Sequence, residues 1–137
     1  MREIKFRGKR VDNGEWVYGY YAQDIDYAGP KTFKYTDCII SAKKDNAEGN
    51  WFEVGSETIG QFTGLKDKAG REIYDGDKVH AVNKSGWGAE LEIMWNEDRA
   101  GFMVWKGDDP SLSFELTCDT LIDYKIEVVG NIHEATP

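Results

Sequence analysis

Short runs of alternating apolar and polar residues, broken by glycine-rich turns, organise this chain. Ile4 and Phe6 alternate with Glu3, Lys5 and Arg7, the period-two pattern of a strand with one buried face. Asp12-Asn13-Gly14 is a turn signal, and Trp16 to Tyr21 then reads as the return strand of a hairpin. Residues 22–57 are the least regular stretch. Within them Tyr35 to Ser41 and Trp51 to Val54 are short strand candidates, and Lys43 to Asn50 reads as an exposed loop. Thr58 to Phe62 follows as another short strand.

The second half is punctuated more clearly. Leu65 to Arg71 is polar and turn-like, and Asp75-Gly76-Asp77 leads into a strand over Lys78 to Val82. After Ser85-Gly86, Ala89 to Trp95 places Leu91, Ile93 and Trp95 on one face. A turn at Asn96 to Gly101 returns the chain to Phe102–Trp105. One helical turn is expected near Asp119, and Lys125 to Ile132 is the final strand. Five short strands at this spacing suit a small curled barrel. The predicted class is therefore all-β with little helix: an N-terminal β-hairpin lobe over residues 1–66, with an irregular 22–57 segment, and a C-terminal SH3-like small β-barrel over residues 67–137. The expected core is Ile4, Phe6, Trp16, Tyr18, Phe62, Ile73, Val79, Leu91, Ile93, Trp95, Phe102, Val104, Val128 and Ile132.

Composition adds limits. At 137 residues with 40% hydrophobic positions, the chain can bury a core without covalent staples. Cys38 and Cys118 form no CxxC and are expected to be free thiols in a reducing compartment. The charged opening residues lack the apolar core of a signal peptide, and no stretch approaches the ~18 apolar residues of a membrane span. A cytoplasmic protein is expected. The net charge of −8 is unevenly spread: residues 1–66 hold ten basic and ten acidic side chains, residues 67–137 seven and fifteen. The acidic half repels a phosphate backbone.

Candidate chemistry is sparse. Asp75 and Asp77 with Glu72 could suggest a cation site, but the spacing and the closing Glu of a calcium loop are absent, so solvated turn carboxylates are expected. Cys38, His80, Cys118 and His133 have no zinc-like spacing. No motif places either cysteine as a nucleophile, and phosphate-loop, dinucleotide and HExxH signatures are absent. Trp87, between Gly86 and Gly88, either packs on the barrel rim or stands as a binding anchor. Lys5, Arg7 and Lys9 share one face of the first strand. That face is expected to lie towards the acids of the second half (Glu90, Glu92, Glu97, Asp98, Asp108 and Asp109), within the chain or across a homo-oligomer contact, or else to be solvated.

Three stretches carry a family likeness: Arg2-Glu3-Ile4-Lys5-Phe6-Arg7-Gly8 with Trp16 and Gly19; the long run from Ile59 through Thr63-Gly64-Leu65-Lys66-Asp67-Lys68-Ala69-Gly70 to Val79; and Val128-Val129-Gly130-Asn131-Ile132-His133-Glu134. In these the chain resembles the YopX family. His133 departs from the family's usual aromatic and Ala69 from its usual Asn, and residues 24–57 match nothing. The resemblance implies phage or prophage origin and an SH3-like barrel, and it carries over no catalytic or binding residue. Apart from the family, Gly64, Gly70 and Gly76 mark the central run as turn chemistry, a structural joint rather than an active site.

These observations lead to an expected phage or prophage accessory protein, a protein-interaction module without catalytic activity or cofactor, whose partner is a host or phage protein. The interaction surface is expected to draw on Lys5, Arg7, Lys9, Trp87, Asp75 and Asp77. The alternative is a nucleic-acid role, by the basic first strand or by acidic mimicry of DNA. Generic duplex DNA is expected not to bind at physiological salt. Salt-sensitive retardation of random-sequence duplex at micromolar protein would contradict this.

Overall fold

A computed structural model describes residues 3–41 and 50–134, so most of the expected 43–50 loop lies outside the described residues. Among the described residues the protein is all-β except for one short α-helix and two 3-10 turns. It divides into two compact units, Met1–Gln61 and Phe62–Pro137.

In the first unit, β1 (Phe6–Lys9) and β2 (Trp16–Gly29) form an antiparallel hairpin with Lys9 opposite Trp16. The turn signal acts as expected. Gly14 takes the left-handed conformation, and the Asn13 side chain accepts the Glu15 amide at 2.9 Å. β3 (Thr32–Ser41) pairs along β2, and β4 (Trp51–Glu53) adds to the inner end of β3. Gly19 permits this pairing, because a Cβ there would stand 1.9 Å from the Ile40 carbonyl oxygen. After a 3-10 turn at Ser56–Thr58, β5 (Gly60–Lys66) begins beside β1. Ile39, Cys38 and Val54 form the apolar part of this unit's small core.

Two expectations fail in this unit. The first is the irregular 22–57 segment, which instead contains a long β2–β3 hairpin. Ile25 and Tyr27 do alternate with Asp24 and Asp26, but aspartates disfavour strands and Gly29-Pro30 interrupts the run. The second concerns the start of the chain, where Ile4, ahead of β1, is 55% exposed whereas Arg7 within β1 is 5% exposed. The Arg7 guanidinium lies 4.7 Å from the Trp16 ring centroid, so its stem and planar head are covered by the indole. Tyr18, on the same face, is exposed.

In the second unit the rest of β5 pairs with β6 (Glu72–Tyr74), bringing the Phe62 and Tyr74 rings to 5.6 Å. β7 (Asp77–Asn83), β8 (Gly88–Asn96), β9 (Gly101–Trp105) and β10 (Phe114–Glu115) form an antiparallel meander. After a 3-10 turn at Pro110–Leu112 and the helix α1 (Cys118–Asp123), β11 (Tyr124–Asn131) returns beside β7, giving the order β10-β9-β8-β7-β11. The predicted helical turn near Asp119 is α1, started by a capping box between Thr117 and Thr120. Alternation sets the core: Val79 and Ala81 of β7, Leu91 and Ile93 of β8, Val104 of β9, and Ile126 and Val128 of β11 are buried together with Ile73 and Leu116.

Trp95 and Ile132 do not join that core, being 44% and 47% exposed. Trp95 has the right parity, but it stands near the end of β8 and meets the Phe102 ring edge-on, at 5.1 Å. Ile132 is displaced because the β11 register shifts between Val128 and Gly130. That bulge changes which side chains point inward. Ile93→Ala is therefore expected to cost about 2–5 kcal/mol, and Trp95→Ala less, because 44% of Trp95 already lies in solvent. Urea unfolding of both variants checks this; an equal or larger loss at Trp95 would contradict it.

Candidate functional site

Within the second unit, the central signature is organised by the carboxylate of Asp67, which is 6% exposed. Its Oδ1 accepts the amides of Ala69 and Arg71 at 2.9 and 2.8 Å, closing the turn from within. Gly70 supplies the left-handed residue, with φ +84°. The other oxygen, Oδ2, accepts the Val128 amide of β11 at 2.9 Å. Beside it, the Lys68 amide donates to the Ile126 carbonyl at 3.1 Å and the Arg71 guanidinium to the Val128 carbonyl at 3.1 Å. The turn thus covers the backbone groups that β11 directs away from β7, as a neighbouring strand would.

The second acidic element of the signature acts alike. Asp77, 1% exposed, accepts the Tyr74 amide at 2.8 Å and so holds the β6–β7 turn. The Gly76 amide donates to the Ile93 carbonyl, and the Gly76 carbonyl accepts the Ile132 amide. The family-like runs at residues 59–79 and 128–134 are therefore joined by hydrogen bonds whose effect is architectural.

The six sequence-predicted surface residues separate accordingly. Arg7 and Asp77 are buried, at 5% and 1% exposed. Lys9 stands 5.9 Å over the same Trp16 ring as Arg7, and Lys5 pairs with Glu3 at 3.4 Å. Asp75 is half-buried in the turn that Asp77 holds. Trp87 is 45% exposed and borders a cavity. Among the described residues no three His, Cys, Asp or Glu side chains converge as a metal site would require. Burial, with Asp24 and Glu53 nearby, pushes the Cys38 thiol above its ordinary pKa, which opposes thiolate formation.

That cavity is an open cleft of about 340 Å³. Three aromatic residues shape it: Trp87 from the β7–β8 turn, Phe114 from β10 and Tyr124 at the start of β11. Phe114 and Tyr124 lie stacked, centroids 4.3 Å apart and 9° between planes. Trp87 is positioned by Asn83, whose Oδ1 accepts the amides of Ser85 and Trp87, each at 3.0 Å, and the Ser85 hydroxyl. The other lining residues are Leu112, Ser111 and Ser113. Ser111 donates to Asp109, and the Ser113 hydroxyl accepts the Lys106 amide. The lining carries no charged side chain. Asn83 Oδ1 and the Ser111 and Ser113 hydroxyls are engaged locally, and the exposed lining is part aromatic and part polar, which suits an uncharged group with an apolar or aromatic body. Periodicity could not have found Phe114 and Tyr124, since α1 and the bend around it bring them together. A lone tryptophan between two glycines was the only signal.

The fold and this cleft define a small all-β protein with an aromatic-lined cleft and a signature loop whose buried carboxylates bind the protein's own backbone. A family model described as YopX protein matches residues 5–137; the chain belongs to the YopX family. No curated protein matches it.

Replacing Asp67 by Ala would strip the acceptor from three amides, and a loss of roughly 3 kcal/mol or more is expected, since bonds to charged groups contribute about 1.5–3 kcal/mol each. Asp67→Asn, which keeps one acceptor oxygen, should lose less. Denaturant unfolding with amide exchange at Val128 reads both; a near-neutral Asp67→Ala would refute the edge-covering role.

Proposed function

We propose that this protein is a protein-interaction module without catalytic activity, a phage or prophage accessory protein that works in the bacterial cytoplasm and binds a host or phage protein. The observation that carries this reading is the uncharged aromatic cleft of Trp87, Phe114 and Tyr124. Such a cleft offers a partner's apolar or aromatic anchor a desolvated seat, and buried aromatic anchors dominate binding energy at protein interfaces. The acidic second half around it would favour encounter with a basic partner surface. The β7-to-β10 meander with β11 returning beside β7 supports an SH3-like curl for this unit. Among the described residues no helix is long and apolar enough to cross a membrane. The nucleic-acid alternative loses support from Arg7, which is buried over Trp16 instead of being presented to solvent.

Affinity capture from phage-infected host cells with the parent and with Trp87→Ala tests the reading. A host or phage protein retained by the parent should fall at least tenfold in the variant, whose circular dichroism should match the parent because Trp87 lies at an exposed turn. Equal retention by both would reject the cleft as the contact.

A further inference from the structure

Among the described residues the outer part of the β2–β3 hairpin is a two-stranded ribbon with no third strand beside it. β1 pairs with β2 only as far as Gly19, and β4 with β3 only from Cys38 onward. The cross-strand pairs Ile25–Tyr35 and Tyr27–Phe33 put four large apolar side chains on one face. They are 56, 57, 68 and 54% exposed. The Tyr27 and Phe33 rings touch edge-on at 6.0 Å. The opposite face carries Asp24, Asp26, Lys34 and Thr36. A lone hairpin is marginal in water without cover for its apolar face.

We infer that this face docks on the same face of a second copy of the chain, forming a two-fold dimer through the ribbons. Three properties favour a second copy. The patch is self-complementary, because a two-fold axis crossing the strands between the two pairs lays Ile25–Tyr35 of each copy on Tyr27–Phe33 of the other. The same operation sets the Gly29-Pro30-Lys31 turn of one copy beside the Gln23–Asp37 pair of the other, bringing Lys31 to Asp37 across the interface. Charge also permits the approach. Residues 20–37 hold Asp24, Asp26 and Asp37 against Lys31 and Lys34, so the ribbon carries −1 of the chain's −8; on the docking face the charge is Asp37, whose Oδ1 accepts the Tyr21 hydroxyl and the Gln23 amide.

The area sets the strength. Aromatic side chains bury about 150–250 Å² each when fully covered, so these half-exposed rings and Ile25 offer roughly 450 Å² per copy. The pair would bury roughly 900 Å², below the roughly 1,200–2,000 Å² of standard stable interfaces. The dimer is accordingly weak and concentration-dependent, with dissociation in the micromolar range or above. Because the ribbon lies in the first unit, this inference stands apart from the cleft of the second.

Sedimentation equilibrium of the full chain across micromolar to millimolar concentration tests it. The parent should move from monomer to dimer. Tyr27→Ser with Phe33→Ser should raise the dissociation constant at least tenfold, whereas Asp24→Ser with Thr36→Ala on the opposite face should leave it unchanged. Lys31→Asp should raise it severalfold at low salt and less at 0.5 M; Lys31 has a positive φ of 61°, which Asp tolerates, so the turn is kept. A parent monomeric throughout, or a dimer indifferent to the Tyr27 and Phe33 substitutions, would overturn the inference.

Discussion

The Asp67 carboxylate occupies the place of a missing strand. A β-sheet that ends at β11 leaves amides and carbonyls unpaired along its outer side, and a short polar turn is an unusual way to cover them. One oxygen closes the turn and the other receives the Val128 amide, so the shape of the turn and the edge of the sheet are set by the same group. The core follows from this. With β11 held from both sides, Ile126 and Val128 stay against Ala81 and Val79, and the bulge after Val128 turns Asn131 inward. Asp77 repeats the device one turn later. Two buried acids thus carry much of the local order in a strongly acidic protein.

This bears on what the family signature is for. A long run rich in Gly, Asp and Lys invites interpretation as a site, yet its two buried carboxylates, Asp67 and Asp77, accept from the protein's own backbone. The exposed and half-exposed aromatic side chains lie elsewhere. The second unit gathers three of them around an uncharged cleft. The first exposes its own along a ribbon with one apolar and one charged side.

Legibility in the sequence followed the strength of local pattern. The strands of the second half, the all-β class and α1 could be read because one-sided burial writes a period of two and capping residues mark a helix start. The ribbon was misread because its aspartates and the Gly-Pro turn imitate a loop. Arg7 was assigned to the surface because its charge says nothing of the indole that covers it. Trp95 and Ile132 were misplaced for lack of any local sign of where a strand ends or bulges. Trp87 was visible as a candidate, whereas its partners Phe114 and Tyr124 were not, since their meeting depends on the path around α1.

The bond from Asp67 to Val128 spans 61 positions of chain, and this has a bearing on synthesis. A ribosome adding roughly 5–20 residues per second needs roughly 3–12 s to make that interval. Throughout it, β7 lacks its outer neighbour and the signature turn lacks the edge it covers. The first unit's hairpins have no such wait, because their pairings are complete by Gln61. During translation, then, the pairings of the first unit can close while the sheet of the second is still unfinished.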